Sequence, residues 1–211
     1  KNDRLGANVL SALLISNVDA GLAASLELKP HHRSLGIITS DCDDVTYVAL
    51  DEATKAADVE VVYARSMYAG AGNASTKLAG EVIGILAGPN PEEVRSGLDV
   101  VVYEIENGAS FYSANDDDSI PYFAHCISRA GTYLSEGANA QEGTAIAYLI
   151  APPAEAMVGL DAALKAADVT VGAFYGPPSE TNFAGSQSAC RAACDAFART
   201  VISIADNPQN Y

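Results

Sequence analysis

Tryptophan is absent from the 211 residues, and only 12 lysines and arginines stand against 27 aspartates and glutamates. The resulting charge of −15 repels phosphate backbones, whose binding depends on basic side chains releasing counterions, and it repels anionic membrane surfaces as well. Nucleic acid and membrane partners are excluded, and the small partners to expect are cations or protonated amines. No apolar run approaches the roughly 18 residues that span a bilayer. The N-terminal KNDRLGANVLSALLIS has neither a basic region ahead of a clean apolar core nor a small-residue cleavage site, so the chain reads as intracellular.

Catalytic signatures are also missing. His31, His32 and His125 are the only histidines, and none sits in a metal-ligand pattern such as H-E-x-x-H. There is no G-x-S-x-G elbow, no Walker A loop, and no G-x-G-x-x-G after a strand. Cys42, Cys126, Cys190 and Cys194 fall at no disulfide-framework or zinc spacing and read as small buried thiols. Neither a cofactor nor a metal is expected, and the chain is not expected to be an enzyme.

What is present is a repeat. LDEATKAADVEV (Leu50 to Val61) returns 110 residues later as LDAALKAADVTV, with nine of twelve positions identical. The register holds from Ser34 to Val61 against Thr144 to Val171. It then shifts to an offset of 96, where Arg95 and Asp99 match Arg191 and Asp195. A chain of this length with such a repeat is two domains of about 100 residues, each small enough to lean on a neighbour.

Within each copy, an apolar run (Leu35 to Thr39, Ala145 to Ile150), an interruption and a second apolar run predict strand, turn, strand. Asp51 and Asp161 suit N-caps of the helix that follows, whose alanines at i, i+3 and i+4 give a flat face for close packing. Val59 to Ala64 and Val169 to Phe174 read as strands. A second helix follows in each copy, opened in the first by Pro91 with Glu92 and Glu93 favoring the helix dipole. The segments VLSALLIS and YFAHCIS lie ahead of each repeat and are strand-like, and the polar FYSANDDDSIP links the halves. The domains are therefore 1–113 and 114–211.

The passage D-x-A-x-K-A-A-D-V, twice and at domain spacing, resembles the signature of bacterial microcompartment shell domains. HHRSLGIITSDCDDVTYVA, ENGASFYSAND, AYLIAPPAEA and PPSETNFAGSQSAC extend the resemblance over essentially the whole chain, toward the tandem-domain members of ethanolamine-utilisation shells. The resemblance implies an α/β fold of two tandem, circularly permuted BMC domains, assembling as a pseudohexameric homotrimer in which six domains are supplied by three chains. It also implies a flat tile of a microcompartment shell in the cytoplasm, with other shell proteins as partners. Lys55 and Lys165 would lie at the tile edge.

A pore needs no general base; it needs loop backbone, a few charges and a constriction. The resemblance places two loops around the trimer axis as a gated pore for metabolites or cofactors, with Tyr68, Gly70, Gly72 and Asn73 on the first and Pro177, Pro178, Glu180 and Phe183 on the second. A small amine such as ethanolamine calls for carboxylates, a polar acceptor and an aromatic face. Asp43, Asp44 and Glu81, with Phe111 and with Thr181 and Asn182 from the second copy, are expected to line a smaller acidic pore that binds it and regulates gating. The alternative reading is a soluble trimeric ligand sensor that does not tile.

Overall fold

The computed structural model describes residues 1–67, 81–176 and 181–209. Its backbone forms two compact units. The N-terminal unit comprises residues 7–109 and 131–134, and the C-terminal unit residues 1–6, 110–130 and 135–211. The boundary expected at 113/114 thus falls at 109/110, and two short segments change sides. The cause of the first exchange is strand pairing: β6 (Phe111–Ser113) pairs antiparallel with β1 (Arg4–Leu5) and with β7 (Pro121–Ile127).

The N-terminal unit runs β2 (Val9–Ile15), α1 (Ala20–Ser25), β3 (Ser34–Ser40), α2 (Asp43–Ala56), β4 (Glu60–Met67), β5 (Glu81–Gly88) and α3 (Pro91–Asn107). Its antiparallel sheet has the order β2-β3-β5-β4. After β7 the chain continues through α4 (Thr132–Gly137), β8 (Ala145–Ile150), α5 (Pro153–Ala166), β9 (Val169–Phe174), β10 (Thr181–Gly185) and α6 (Gln187–Asp206). The second sheet has the order β1-β6-β7-β8-β10-β9, so its last four strands repeat the first sheet's topology and β1 with β6 extends one edge. The sequence repeat is a repeat of the whole fold.

Period-2 alternation on β3 sorts its side chains between two layers. Leu35 and Ile37 face a cluster with Ile85, Ala87, Val18, Leu26 and Leu28. Gly36, on the opposite face, lies where an added Cβ would come within 2.8 Å of Leu98 and Val94, so the missing side chain is what lets α3 seat on the sheet. In the C-terminal unit, Ala147, Leu149 and Phe183 from the sheet pack against Leu160, Ala163, Cys190, Cys194 and Phe197 of the two helices. Burying each of the larger apolar side chains contributes about 1.5–3 kcal/mol.

Helix starts follow local chemistry. Asn90 caps α3 by accepting the Glu93 amide at 2.9 Å, with Pro91 in the first turn, and Ser186 caps α6 by accepting the Ala189 amide at 3.1 Å. One expectation fails in both copies: the second apolar run is not a strand. Val45 to Leu50 belongs to α2, which starts at Asp43, and Asp51 lies within the helix, not at its cap. Likewise α5 begins at Pro153 and contains Asp161. The run contains Val45, Val48 and Ala49 at i, i+3 and i+4, a helical face hidden inside a stretch that is apolar but for Thr46 and fits either period.

Candidate functional site

Two carboxylates open α2, where the unpaired amides of the first turn favor negative charge. Asp43 and Asp44 are half-buried there. One oxygen of Asp43 accepts the Asp44 amide at 2.9 Å and the other accepts the Ser66 hydroxyl, also at 2.9 Å. Ser66 in turn meets the Tyr47 hydroxyl, one turn further along α2. Below them, Ser40, Thr46 and the Cys42 backbone are cross-linked by hydrogen bonds of 2.6–3.1 Å, which fix the angle at which β3 enters the helix. Burial pushes the Cys42 thiol up to about 12, so this sulfur stays protonated and unreactive.

Strand register brings a third expected residue to the same end of the sheet. Glu81 pairs with Met67, one position beyond the Val82 to Ser66 pair, and Ser66 holds Asp43. Asp43, Asp44 and Glu81 all belong to the N-terminal unit. Phe111, Thr181 and Asn182 belong to the C-terminal unit. Phe111 is half-buried with its ring 5.0 Å from that of Phe123. Thr181 and Asn182 open β10 and are 1% and 2% exposed. The Thr181 hydroxyl has no hydrogen-bond partner among the described residues, a state that costs about 1–3 kcal/mol for a buried polar group.

Of the expected pore residues, Tyr68, Gly70, Gly72, Asn73, Pro177, Pro178 and Glu180 lie outside the described residues. Phe183 is not a loop residue: it is the third residue of β10, 1% exposed, and its ring is part of the core of the C-terminal unit. Alternation along β10 turns it inward.

The repeated signature is used differently by the two copies. Asp51 is fully buried and accepts the amides of Gly131 at 2.7 Å and Leu134 at 2.9 Å, which is why residues 131–134 join the N-terminal unit. Burial pushes its carboxyl above the usual range, and the two amides pull partly the other way. The Thr132 amide donates to Thr54, and the Tyr133 ring lies 6.3 Å from Tyr47. Tyr47, Asp51 and Thr54 form one helix face at i, i+4 and i+7, covered by this strap. Asp161 is exposed and pairs with Lys165 at 2.6 Å. Lys165 is open to solvent, whereas Lys55 is largely covered and reaches Glu52 at 2.7 Å.

A third cluster had no sequence motif to announce it. His31, His32 and Glu60 each place a ligand-type atom within 4.8 Å of the other two. The adjacent histidines of KPHHR were visible, but Glu60 lies 28 residues beyond His32 and meets it only through the fold.

The model of the BMC domain family matches residues 34–115. The bacterial microcompartment shell protein EutL of Clostridium perfringens is 67% identical over 216 residues, covering all of both chains. The chain belongs to the bacterial microcompartment shell proteins. The crystal structure of the ethanolamine utilization protein EutL from Leptotrichia buccalis superposes with a TM-score of 0.93 at 65% identity, again over all of both chains. The fold also matches a trimeric microcompartment shell protein, PduB, at a TM-score of 0.74 and 20% identity, over 94% of this chain and 89% of that one. As a shell protein of this family, the chain is a structural component of a microcompartment shell with an α/β BMC-domain fold.

Proposed function

We propose that the chain is a flat trimeric tile in the shell of an ethanolamine-utilising microcompartment, with a structural and transport role and no catalytic one. One observation carries the assembly. The face of α2 covered by residues 131–134 has a counterpart in α5 at the matching positions Met157, Asp161 and Leu164, all of them exposed. The counterpart of the strap, at the start of α1 from Asp19 to Leu22, is exposed as well. An intrachain contact made once per chain and left open at both matching surfaces closes a ring when α1 of one chain covers α5 of the next. The apolar pair Met157 and Leu164 supplies the area, together with Leu22.

The contact between chains is not a copy of the one within the chain. Gly131 lets its backbone approach Asp51, and an added Cβ there would fall 2.4 Å from the Thr54 hydroxyl. Its counterpart Asp19 instead caps α1 by accepting the Gly21 amide at 2.8 Å. The interface between chains therefore rests on apolar contact, with Asp161 and Lys165 neutralising each other at its rim.

Ethanolamine carries a cation at neutral pH, and the acidic pole of Asp43, Asp44 and Glu81 in the N-terminal unit is suited to it. The half-buried Asp43 supports this reading. The amine biases a central gate through a difference in affinity for two states. Calorimetric titration of ethanolamine tests the pocket: binding in the wild type is expected to be lost or weakened at least tenfold in Asp43→Ala and Glu81→Ala. Unchanged binding in both variants removes the pocket. Electron microscopy of concentrated protein tests the tile, with flat two-dimensional arrays expected and discrete trimers alone favoring the ligand sensor.

A further inference from the structure

We propose that His31, His32 and Glu60 form a binding site for one transition-metal dication, with zinc as the best match. The two imidazoles are fixed by a reverse turn. Lys29, Pro30, His31 and His32 close through the His32 amide donating to the Lys29 carbonyl at 3.0 Å, with proline in the second position, where its ring pre-sets φ. The turn leaves the rings with centroids 4.3 Å apart, tilted by 53°. Glu60 arrives from another part of the chain. It is the first residue of β4 and pairs across to Ala87 on β5, while the Arg33 amide, one residue after the turn, bonds to Gly88 on the same strand.

The donor set fits the ion. Two imidazole nitrogens and one carboxylate oxygen match borderline dications held by three protein ligands with a fourth position open to water. His32 is 4% exposed, and its Nε2 lies 3.0 Å from a Glu60 oxygen yet out of line for a hydrogen bond. Two ligands of a tetrahedral ion with bonds of 2.0–2.1 Å stand about 3.3 Å apart, so this separation needs only a small opening. Lys29 Nζ holds the other Glu60 oxygen at 3.0 Å, an outer contact that aims the carboxylate and leaves one oxygen for the ion.

The Lys29 amide donates to His32 Nδ1 at 3.2 Å. Ligation through Nε2 moves the ring proton to Nδ1 and displaces that long contact, and the exposed Lys29 can turn its amide to water. The −15 charge of the chain further favors a cation.

The test is titration of tag-free, full-length protein with Zn2+ against a competing chelating dye. Cobalt is then added in place of zinc, to read the absorption bands of a four-coordinate ion. One zinc per chain is expected, bound at least tenfold more weakly by His31→Asn, His32→Ile and Glu60→Gln and equally well by His125→Asn. His31 is exposed, so His31→Asn keeps the fold and separates lost binding from lost structure, with thermal melting as the check. Zinc bound equally by the wild type and His31→Asn, or not bound by the wild type, overturns the site.

Discussion

Two helices carry the same signature and put it to opposite use. In α2 the aspartate is buried beneath residues 131–134 and anchors a strap from later in the chain, whereas in α5 it is exposed and pairs with its own lysine. Identity of sequence over nine positions therefore does not mean identity of environment. What differs is the partner: α2 meets its neighbor within the chain, and α5 presents the matching face to the outside.

The widest gap between the copies is expected on removing the two aspartates. Asp51→Ala strips the acceptor from two buried amides and is expected to cost about 2–4 kcal/mol, while Asp161→Ala changes stability by no more than about 0.5 kcal/mol. Urea unfolding at a fixed protein concentration measures both, and equal costs would break the comparison. Next in size is Gly131→Ala, whose Cβ would crowd the Thr54 hydroxyl at 2.4 Å and the Asp51 carbonyl at 2.8 Å. We expect a loss of about 1–3 kcal/mol in the same measurement.

A pH series sharpens the contrast further. Because burial raises the Asp51 carboxyl in the folded state, its ionised form opposes folding above that raised value. Lowering the pH from 7 into the carboxylate range should therefore stabilise the wild type relative to Asp51→Asn. A gap that stays constant with pH contradicts a raised carboxyl. The smallest effect is expected at the lysines: Lys165→Ala should reduce array formation by electron microscopy more than Lys55→Ala, because Lys165 is exposed and Lys55 is folded onto Glu52.

Much of the fold was legible because it was written twice. The 110-residue offset predicts two like units, and both sheets share the four-strand order. The start of α2 was not legible, since Val45 to Leu50 is apolar but for Thr46, and Asp43 with Asp44 suits a turn as well as a helix N-terminus. Nor was the exchange of residues 1–6 and 131–134, which depends on pairing between β1 and β6 and on two hydrogen bonds to Asp51 across 80 or more residues. Among the site residues, Asp43 and Glu81 were readable as acidic groups, and strand register then brought them to one end of a sheet. Phe183 was misplaced because its neighbours Thr181 and Asn182 are polar, while β-alternation turns its ring into the core.

Cross-linking across the proposed ring contact is the most direct test of the account. Tyr47 and Tyr133 face each other within the chain, and their counterparts at the open surfaces are Met157 and Gly21. A Gly21→Cys, Met157→Cys double variant, oxidised at low concentration, should give covalent dimers and trimers on a non-reducing gel, with neither single variant doing so. Monomers alone from the double variant would contradict a ring in which α1 of one chain covers α5 of the next.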